Sequence, residues 1–355
     1  MTRVLLLHGG SIPHYRVPIY GYLSDHLKRY GFDLKVASAG VQAGNPHPIE
    51  FQYAEMSLSV LNIARFIYTQ RIDVIILFVD MRHLYLFPTY LIAKGFLRRK
   101  MVWWGQGRDL VDRDAKVKNF AYAVEHALCD SIILYADHLK KYVARSFHKK
   151  IFVANNTLVL AYAGLPAEAR ERVLAEYGIH TGKNIICVGR IQKRKRLEHL
   201  VAAHALMNRP DIGLILVGPD RDGILNDIHG DNIYKLGPVF GSKKFDLLSA
   251  ADVYCLPGAV GLSIVDAFHC GLPIVTEDGD ESAEIMYLRD GDNGFVVPRG
   301  NVVAMAQKLL LLLDNDSLRQ RFSDAARREI AENGHIELMC AGFRNALCYA
   351  TGQTR

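Results

Sequence analysis

Short apolar runs alternate with amphipathic segments along the whole chain. The run 3–9 is followed by residues 15–31, whose apolar positions recur at helical spacing and stop at Gly31. Continuous apolar runs such as 73–79 and 212–219 are typical of strands buried on both faces of a parallel sheet. Two tandem blocks of alternating strands and helices therefore predict an α/β fold with two doubly wound, Rossmann-like domains.

The polar, helix-forming segment 164–184 lies between the two blocks and predicts a domain boundary. We expect an N-terminal domain over 1–165, a C-terminal domain over 166–335, and a C-terminal helix within 336–355 that packs back on the N-terminal domain.

Ligands of doubly wound sheets bind beyond the carboxyl ends of the strands. With two such domains, these ends can face a shared interdomain cleft, where we expect the site. The residues that follow predicted strands are Gly9, Gly10, Asp80, Gly105, Gln106, Gly107, Gly189, Arg190, Gly218, Pro219, Pro257 and Gly258.

Composition describes a globular chain of 355 residues, half apolar and 23% charged, which is typical of two domains. The first apolar run is too short for a signal peptide, and no run approaches the length of a spanning helix. The six cysteines form no paired framework, which favours free thiols in the cytoplasm.

Charge is distributed unevenly. Residues 1–160 hold 21 Lys and Arg against 12 Asp and Glu, an excess of nine in a chain of net charge +6. Either this is variation in composition, or the N-terminal half presents a basic face to phospholipid head groups or nucleic acid. The segment 96–100, FLRRK, is the best candidate for docking on a membrane.

Several catalytic classes are disfavoured by missing motifs. No G-x-G-x-x-G follows the first strand, and no P-loop, paired Cys/His spacing or G-x-S-x-G elbow occurs. The sequence therefore predicts neither a nicotinamide enzyme nor a metal site, and no cofactor. It also lacks the interleaved basic and aromatic pattern of a nucleic-acid binder.

A cationic loop follows the strand that ends at Gly189. At the carboxyl edge of a sheet such a loop favours binding of a phosphate or diphosphate over a merely solvated charge run. The loop has more cations than one diphosphate can contact, so some must face solvent. They are Arg190, Lys193, Arg194, Lys195 and Arg196.

The stretch 256–276 predicts a second anion-binding feature, where a strand meets a helix. Gly258 and Gly261 let the backbone approach a ligand, and Ser263 is placed to cap the helix. Asp266 either stabilises the helix dipole or accepts hydrogen bonds from vicinal hydroxyls such as those of ribose.

These two features, with LILVGP, LGPVF and DGDNGFVVP, make residues 184–300 resemble the carboxyl domain of family 4 glycosyltransferases of bacterial polysaccharide assembly. The resemblance implies a GT-B fold, a retaining outcome, and a nucleotide-diphosphate sugar as donor. The N-terminal half resembles that family more loosely, through IPHYRVPIYGYL and WWGQGRDL.

The resemblance also implies roles for residues. Gly189, Arg190 and Lys195 would bind the donor diphosphate, and Arg196 stands where the family usually has glycine. Asp266 would hold the ribose, whereas Gly258 stands where the family places an acid that contacts the transferred sugar. Glu284 is interpreted as structural. The other donor-binding residues implied, beside Gly10, are Gly237, Val239, Phe240, Gly261, Leu262 and Ser263.

In the N-terminal half, Gln106 and Arg108 are candidate catalytic residues at a strand end. His14 is either an acceptor contact or a surface histidine, and Arg16 either an acceptor-phosphate contact or structural. Trp103 and Trp104 alternate faces, so one is expected in the core, and we take Trp104 as the one that lines a sugar site.

Together these patterns predict a retaining, metal-independent glycosyltransferase that moves a sugar from a nucleotide-diphosphate sugar to a glycan or lipid-linked acceptor in surface polysaccharide synthesis. We expect a cytoplasmic protein that acts peripherally on the inner membrane face and binds no nucleic acid. The alternatives are a nucleotide-sugar 2-epimerase and a non-catalytic sugar-nucleotide-binding protein of the same fold.

Overall fold

The computed structural model describes residues 1–78, 87–110, 116–162, 164–279 and 282–353. They form two compact units, one of residues 1–159 with 335–355 and one of residues 160–334. Asp80, one of the residues that follow a predicted strand, lies outside the described residues.

Each unit is built on one sheet whose strands pair in parallel. The N-terminal sheet has the order β3-β2-β1-β4-β5-β6-β7, and the C-terminal sheet has the order β10-β9-β8-β11-β12-β13. The strands are β1 (Thr2–His8), β2 (Phe32–Ser38), β3 (Gln52–Glu55), β4 (Val74–Phe78), β5 (Lys100–Gly105), β6 (Ser131–Leu134), β7 (Ile151–Val153), β8 (Lys183–Val188), β9 (Ile212–Val217), β10 (Ile233–Gly237), β11 (Val253–Cys255), β12 (Ile274–Glu277) and β13 (Gly294–Val297).

Helices connect most of the successive strands, as the alternating pattern predicts, but none lies between β2 and β3. They are α1 (Arg16–Lys28), α2 (Val60–Thr69), α3 (Phe87–Leu91), α4 (Lys116–Leu128), α5 (Arg170–Glu176), α6 (Leu197–Met207), α7 (Gly241–Ala250), α8 (Ser263–His269), α9 (Val302–Asp314), α10 (Asp316–Asn333) and α11 (Ile336–Thr351). A π-helical turn, Ile92–Phe96, continues α3.

The strands form because their apolar runs are covered on both faces. Val4, Leu5, Leu6 and Leu7 of β1 are all fully buried, as a central parallel strand requires. The apolar pattern does not predict β3, β10 or β13; for β3 the reason is that Gln52–Glu55 is polar and pairs only at the sheet edge. All six cysteines are buried thiols.

The C-terminal helix belongs to the N-terminal unit. It packs against β5, β6, β7 and α1. With right-handed crossovers, the strand order places α1 on one face of the sheet and α2, α3 and α4 on the other. The C-terminal unit, residues 160–334, ends at Gly334, just before this helix.

Gly342 is the point of closest approach between α11 and the sheet. A Cβ atom there would overlap the carbonyl oxygen of Val153 and lie 2.8 Å from the Cα of Ala154. We expect Gly342→Val to destabilise the N-terminal unit by about 1–3 kcal/mol through overpacking, although valine favours a helix more than glycine does. The free energy of unfolding, from urea titration, measures this. Ala341→Val, on the less buried neighbour, is the control, and equal losses in both variants would contradict the contact.

Candidate functional site

Two loops at the carboxyl edge of the C-terminal sheet form the candidate site. The first follows β8 and begins at Gly189, and the second follows β11 and includes Pro257 and Gly258. Since β8 and β11 are hydrogen-bonded neighbours, the loops emerge side by side. The structure thus brings together the two features that the sequence singled out separately.

Direct bonds join the two loops. The amide of Gly258 donates to the carbonyl of Lys195 at 2.9 Å, and Nη2 of Arg196 donates to the carbonyl of Pro257 at 2.9 Å. The ammonium of Lys195 also donates to the carbonyl of Ala259. The loops are therefore one interlocked unit.

The five cations of the first loop divide into two groups. Arg190, Lys193 and Arg194 are exposed, whereas Lys195 and Arg196 are each 8% exposed. This agrees with the expectation that not all five contact one ligand. The side chains of Arg190, Lys193 and Arg194 reach solvent, and Nε of Arg194 donates to Oε1 of Gln192, while the other two lie inside the protein.

Arg196 is held by a buried carboxylate. Its Nε lies 2.8 Å from Oε2 of Glu277, whose side chain is fully buried, and Nδ1 of His199 lies 2.6 Å from the other oxygen. The backbone of Arg196 is left-handed, with φ +49°, a conformation that favours glycine. The strain, of order 1–3 kcal/mol, persists because the ion pair requires this residue in this place.

Lys195 lies in the interior of the interlock with its charge disfavoured. Burial, together with the nearby charges of Arg194 and Arg190, lowers the pKa of its ammonium to about 8, against the opposing effects of Cys187 and Glu284. A diphosphate beside this ammonium would restore its preference for the charged form. Lys195 is therefore suited to bind an anion.

Asp266 is not the isolated acid that the sequence suggests. It lies in the first turn of α8, is 7% exposed, and accepts from the ammonium of Lys244 at 2.7 Å. Burial raises the pKa of its carboxyl, and Lys244 opposes this. The second oxygen, Oδ1, has no hydrogen-bond partner. Sequence reasoning missed Lys244, which is 22 residues away on α7.

The prediction that Ser263 caps α8 is wrong. Leu262 occupies the cap position with helical dihedral angles and no side-chain bond, and Ser263 is already the first helical residue. The hydroxyl of Ser263 instead lies near that of Tyr254, which donates to the carbonyl of Val188 at 2.8 Å. The start of α8 is thereby near the end of β8.

The remaining predicted donor residues form the open side of the site. Gly261 has free space around it, and Leu262 beside it is half-buried. Phe240 is 57% exposed at the cap of α7, preceded by the half-buried Val239.

The position where an acid was expected is sterically closed. A Cβ atom on Gly258 would overlap the carbonyl oxygen of Arg194 and lie 2.5 Å from the Cα of Lys195. The glycine is therefore required by the interlock, and no side chain at 258 fits this backbone.

In the N-terminal unit, the structure places Arg16 among aromatic rings. Its guanidinium carbon lies 4.6 Å from the ring centroid of Trp104 and 4.7 Å from that of Phe78, and Nη2 donates to the hydroxyl of Tyr135 at 3.0 Å. Arg16 is only 3% exposed. Of the two predicted roles, the structural one fits this burial, and a direct contact with an acceptor phosphate does not.

The prediction that one tryptophan lines an open sugar site is wrong. Trp103 and Trp104 are both 2% exposed. They do alternate faces of β5, but helices cover both faces of this sheet. Trp104 packs on Tyr20 and Phe343 and forms part of the wall around Arg16.

The other N-terminal candidates lie near strand ends. Gly10, with φ +85°, follows β1, and the ring of half-buried His14 packs edge-on against Tyr15 at 5.8 Å. Gln106 and Arg108 are half-buried after β5, and Arg108 lies over the ring of Tyr142 at 4.9 Å. Among the described residues, no group of three metal-binding side chains occurs.

Comparison with known proteins identifies the C-terminal unit. Residues 182–315 match the family described as "Glycosyl transferases group 1". The phosphatidyl-myo-inositol mannosyltransferase of Mycobacterium leprae is 34% identical over 161 residues, which are 41% of this chain and 42% of that protein. The matched segment thus spans about two fifths of the curated relative.

Solved structures match the whole chain in fold. The crystal structure of HepE from Anabaena, in complex with UDP and glucose, superposes with a TM-score of 0.79 at 14% identity, covering 98% of this chain and 99% of that one. A putative UDP-N-acetylglucosamine 2-epimerase from Listeria monocytogenes superposes with a TM-score of 0.69 at 14% identity, covering 99% of this chain and 97% of that one.

Restoring the expected acid should damage the site. We expect Gly258→Glu and Gly258→Ala both to destabilise the C-terminal unit, by at least about 1–3 kcal/mol, because any Cβ atom forces the two loops apart. Gly261→Ala is the matched control, since its Cβ atom meets open space. Differential scanning calorimetry measures the effect, and a Gly258→Ala variant as stable as Gly261→Ala would contradict the interlock.

Proposed function

We propose that this chain, whose residues 182–315 belong to the group 1 glycosyl transferases and whose fold is GT-B, is a retaining glycosyltransferase that uses a nucleotide-diphosphate sugar. The observation that carries the proposal is the interlock of the two loops. It sets a partly buried ammonium and exposed guanidinium groups beside an acid on a neighbouring helix. A diphosphate linked to a ribose presents the complementary groups.

Each part of the donor has a matching partner. Arg190 and Lys195 would bind the diphosphate, with Arg194 adding charge at the surface. Asp266 would bind one ribose hydroxyl, since Lys244 already occupies one of its oxygens. The exposed ring of Phe240 offers a surface on which a base can stack.

The proposed transfer reaction depends on stabilising the charge of the leaving diphosphate. The bond between the anomeric carbon and the diphosphate oxygen breaks, and negative charge develops on the leaving diphosphate, where Arg190 and Lys195 stabilise it. The acceptor hydroxyl forms the new bond on the same face of the sugar. Its proton passes to the departing phosphate oxygen, so the products are a glycoside and a nucleoside diphosphate.

The acceptor proposed is a glycan or a lipid-linked sugar at a membrane surface. No helix within the described ranges is long and apolar enough to cross a bilayer. However, α2, α3 with its π-helical turn, and α4 share one face of the N-terminal sheet and carry large apolar side chains that are 57–86% exposed. These are Leu61, Tyr68, Leu91, Phe96, Val117 and Phe120.

Basic residues lie among these apolar side chains. Arg65, Arg98, Lys100 and Lys116 are all exposed on or beside the same helices. Apolar insertion combined with cationic attraction, about 1 kcal/mol per basic residue near the surface, suits an anionic leaflet. The segment 96–100 is central to this face.

A nucleotide-sugar 2-epimerase is the second candidate, because the structural neighbour from Listeria monocytogenes is described as an enzyme of that kind. The likeness is one of fold alone, so product analysis has to decide. An epimerase releases an epimerised sugar nucleotide from donor alone, whereas a transferase needs an acceptor and yields a glycoside with the donor's anomeric configuration.

Donor binding provides the first test. In a thermal-shift screen, we expect one nucleoside diphosphate or nucleotide sugar to raise the melting temperature by mass action. Its affinity should be constant below pH 8 and fall above it, because the ammonium of Lys195 loses its proton with a pKa of about 8. Lys195→Ala should weaken binding about tenfold or more and abolish this pH dependence.

Lys193→Ala is the control, since Lys193 is an exposed cation of the same loop. If Lys193→Ala and Lys195→Ala weaken binding equally, the loop acts only as diffuse charge. If no nucleotide shifts the melting temperature, the proposed donor is wrong. Bound donor with no transfer to any acceptor would favour the non-catalytic alternative.

Membrane docking provides the second test. We expect the protein to co-sediment with phosphatidylcholine vesicles that contain about 30% phosphatidylglycerol, because this lipid supplies the anionic charge. Phe96→Ser should reduce the bound fraction several-fold. Tyr349→Ser, which removes a 50% exposed aromatic from α11 on the other face, should not. Equal effects would exclude this face as the docking surface.

A further inference from the structure

The ion pair of Lys244 and Asp266 contains a carboxyl group that is only half satisfied. The ammonium of Lys244 donates to Oδ2 of Asp266 at 2.7 Å, and the two side chains are 20% and 10% exposed. Oδ1 of the same carboxyl group has no hydrogen-bond partner. A buried acceptor without a partner is unfavourable, so this carboxyl group is suited to a ligand that donates a hydrogen bond.

An aromatic pair holds the ammonium of Lys244. Its Nζ lies 4.3 Å from the ring centroid of Phe245, which is within the range of a cation–π interaction. The ring of Tyr162 stacks on that of Phe245, with centroids 5.1 Å apart and an interplanar angle of 17°. Contacts therefore run without a break from Tyr162 through Phe245 and Lys244 to Asp266.

Tyr162 is anchored by its hydroxyl and by its backbone. The hydroxyl donates to Oδ1 of Asp246 at 2.8 Å, and the carbonyl oxygen lies 3.1 Å from Nε2 of His269. Because a carbonyl oxygen can only accept, Nε2 of His269 carries a hydrogen. Asp246 belongs to α7 and His269 to α8, so Tyr162 joins the two helices that carry Lys244 and Asp266.

The charges around Asp266 make Lys244 important for its ionisation. Burial raises the pKa of the Asp266 carboxyl, whereas Lys244 lowers it through its charge and its hydrogen bond, and His269 lowers it further. Burial also raises the pKa of the Cys270 thiol to about 11 and that of the Tyr254 hydroxyl well above its usual range, so both are neutral near pH 7.

Other elements that pack on α8 also carry charged residues. Helix α10 supplies Arg327, which donates to the carbonyl of Cys270 at 3.0 Å. The turn Ala283–Tyr287 supplies Glu284, whose charge acts on Lys195. The hydrogen-bonded cation at the carboxylate of Asp266 is Lys244.

We propose that Lys244 is a positioning residue for the donor site: its ammonium holds one oxygen of Asp266 and keeps the carboxyl group charged, and the stack of Tyr162 on Phe245 holds the ammonium there. This role rests on the proposed function, in which Asp266 binds a ribose hydroxyl of the donor. A charged carboxylate accepts a hydrogen bond more strongly than a protonated carboxyl group does. Lys244 thus acts on the donor through Asp266 and needs no contact with it.

The test compares the affinities of UDP and GDP with those of their 2′,3′-dideoxy counterparts across pH. The ratio of the two affinities isolates the ribose hydroxyls, because both members of a pair share the base, the diphosphate and the dependence on Lys195. In the wild type we expect a ratio of about tenfold near neutral pH, the effect of one charge-assisted hydrogen bond, which falls as Asp266 takes up a proton. In Lys244→Met this fall should occur about one pH unit higher or more, because losing a neighbouring cation raises the pKa of an acid.

Lys243→Met is the matched control, because Lys243 is the adjacent lysine, is 65% exposed and pairs with Glu176. Lys244→Arg keeps the charge and should return the pH profile toward that of the wild type. The same pH dependence of the ratio in Lys244→Met and Lys243→Met would overturn the proposal. So would an equal loss of affinity for both members of a pair at every pH, since that indicates a structural role alone.

The aromatic pair is tested in the same way. Tyr162→Phe keeps the ring and removes the bond to Asp246, whereas Tyr162→Leu also removes the stack. We expect Tyr162→Leu to shift the pH profile in the same direction as Lys244→Met, and Tyr162→Phe to leave it close to that of the wild type. An unshifted profile in Tyr162→Leu would overturn the part assigned to Tyr162.

NMR separates the role of Lys244 from the proposed function. The carboxyl carbon resonance of Asp266, assigned with the help of Asp266→Asn, reports the pKa of this group without any ligand. That pKa should rise in Lys244→Met and not in Lys243→Met. An unchanged pKa with intact nucleotide binding would overturn the role of Lys244 and leave the proposed function intact. A raised pKa in a protein that binds no nucleotide would overturn the donor site and leave only the effect of Lys244 on Asp266.

Discussion

The buried ion pair of Arg196 and Glu277 is the interaction on which the candidate donor site depends. It holds Arg196 in a left-handed conformation, and from there the guanidinium also reaches the carbonyl of Pro257. The second loop is thereby drawn so close to the first that position 258 has no room for a Cβ atom. Arg196 and Gly258 are thus coupled, because the arrangement that the ion pair holds leaves no room for a side chain at 258.

Burial sets the electrostatics of the same site. Lys195 is pushed toward its neutral form, and Asp266 is pushed toward its protonated form. Desolvation disfavours the charged form of each side chain. An anion beside Lys195, or a hydrogen-bond donor beside Asp266, would stabilise that charged form. Lys244 opposes this effect on Asp266 within the protein, because its ammonium donates to one of the two carboxylate oxygens.

Periodicity predicted the sheets well because a buried parallel strand leaves a continuous apolar run. The apolar runs 3–9, 73–79 and 212–219 overlap β1, β4 and β9. The loops of the donor site were found because they follow such strands. Their partners were not, since Glu277 and Lys244 lie 81 and 22 residues from the groups they bind. For Trp104 and Arg16, the spacing of apolar residues indicated the face of the strand or helix on which each side chain lies. It did not indicate whether another element covers that face.

Charge shows the same limit of sequence reasoning. The second half of the chain is mildly acidic in sum, yet it contains the cationic loop, because local placement at a strand end outweighs net charge. In the basic N-terminal half, Arg16 is enclosed by aromatic rings, Arg108 is half-buried after β5, and Lys100 is exposed near the apolar helix face. An excess of nine positive charges is therefore not one basic surface. Among the described residues it divides into buried, half-buried and exposed cations, and the exposed ones can meet an anionic surface directly.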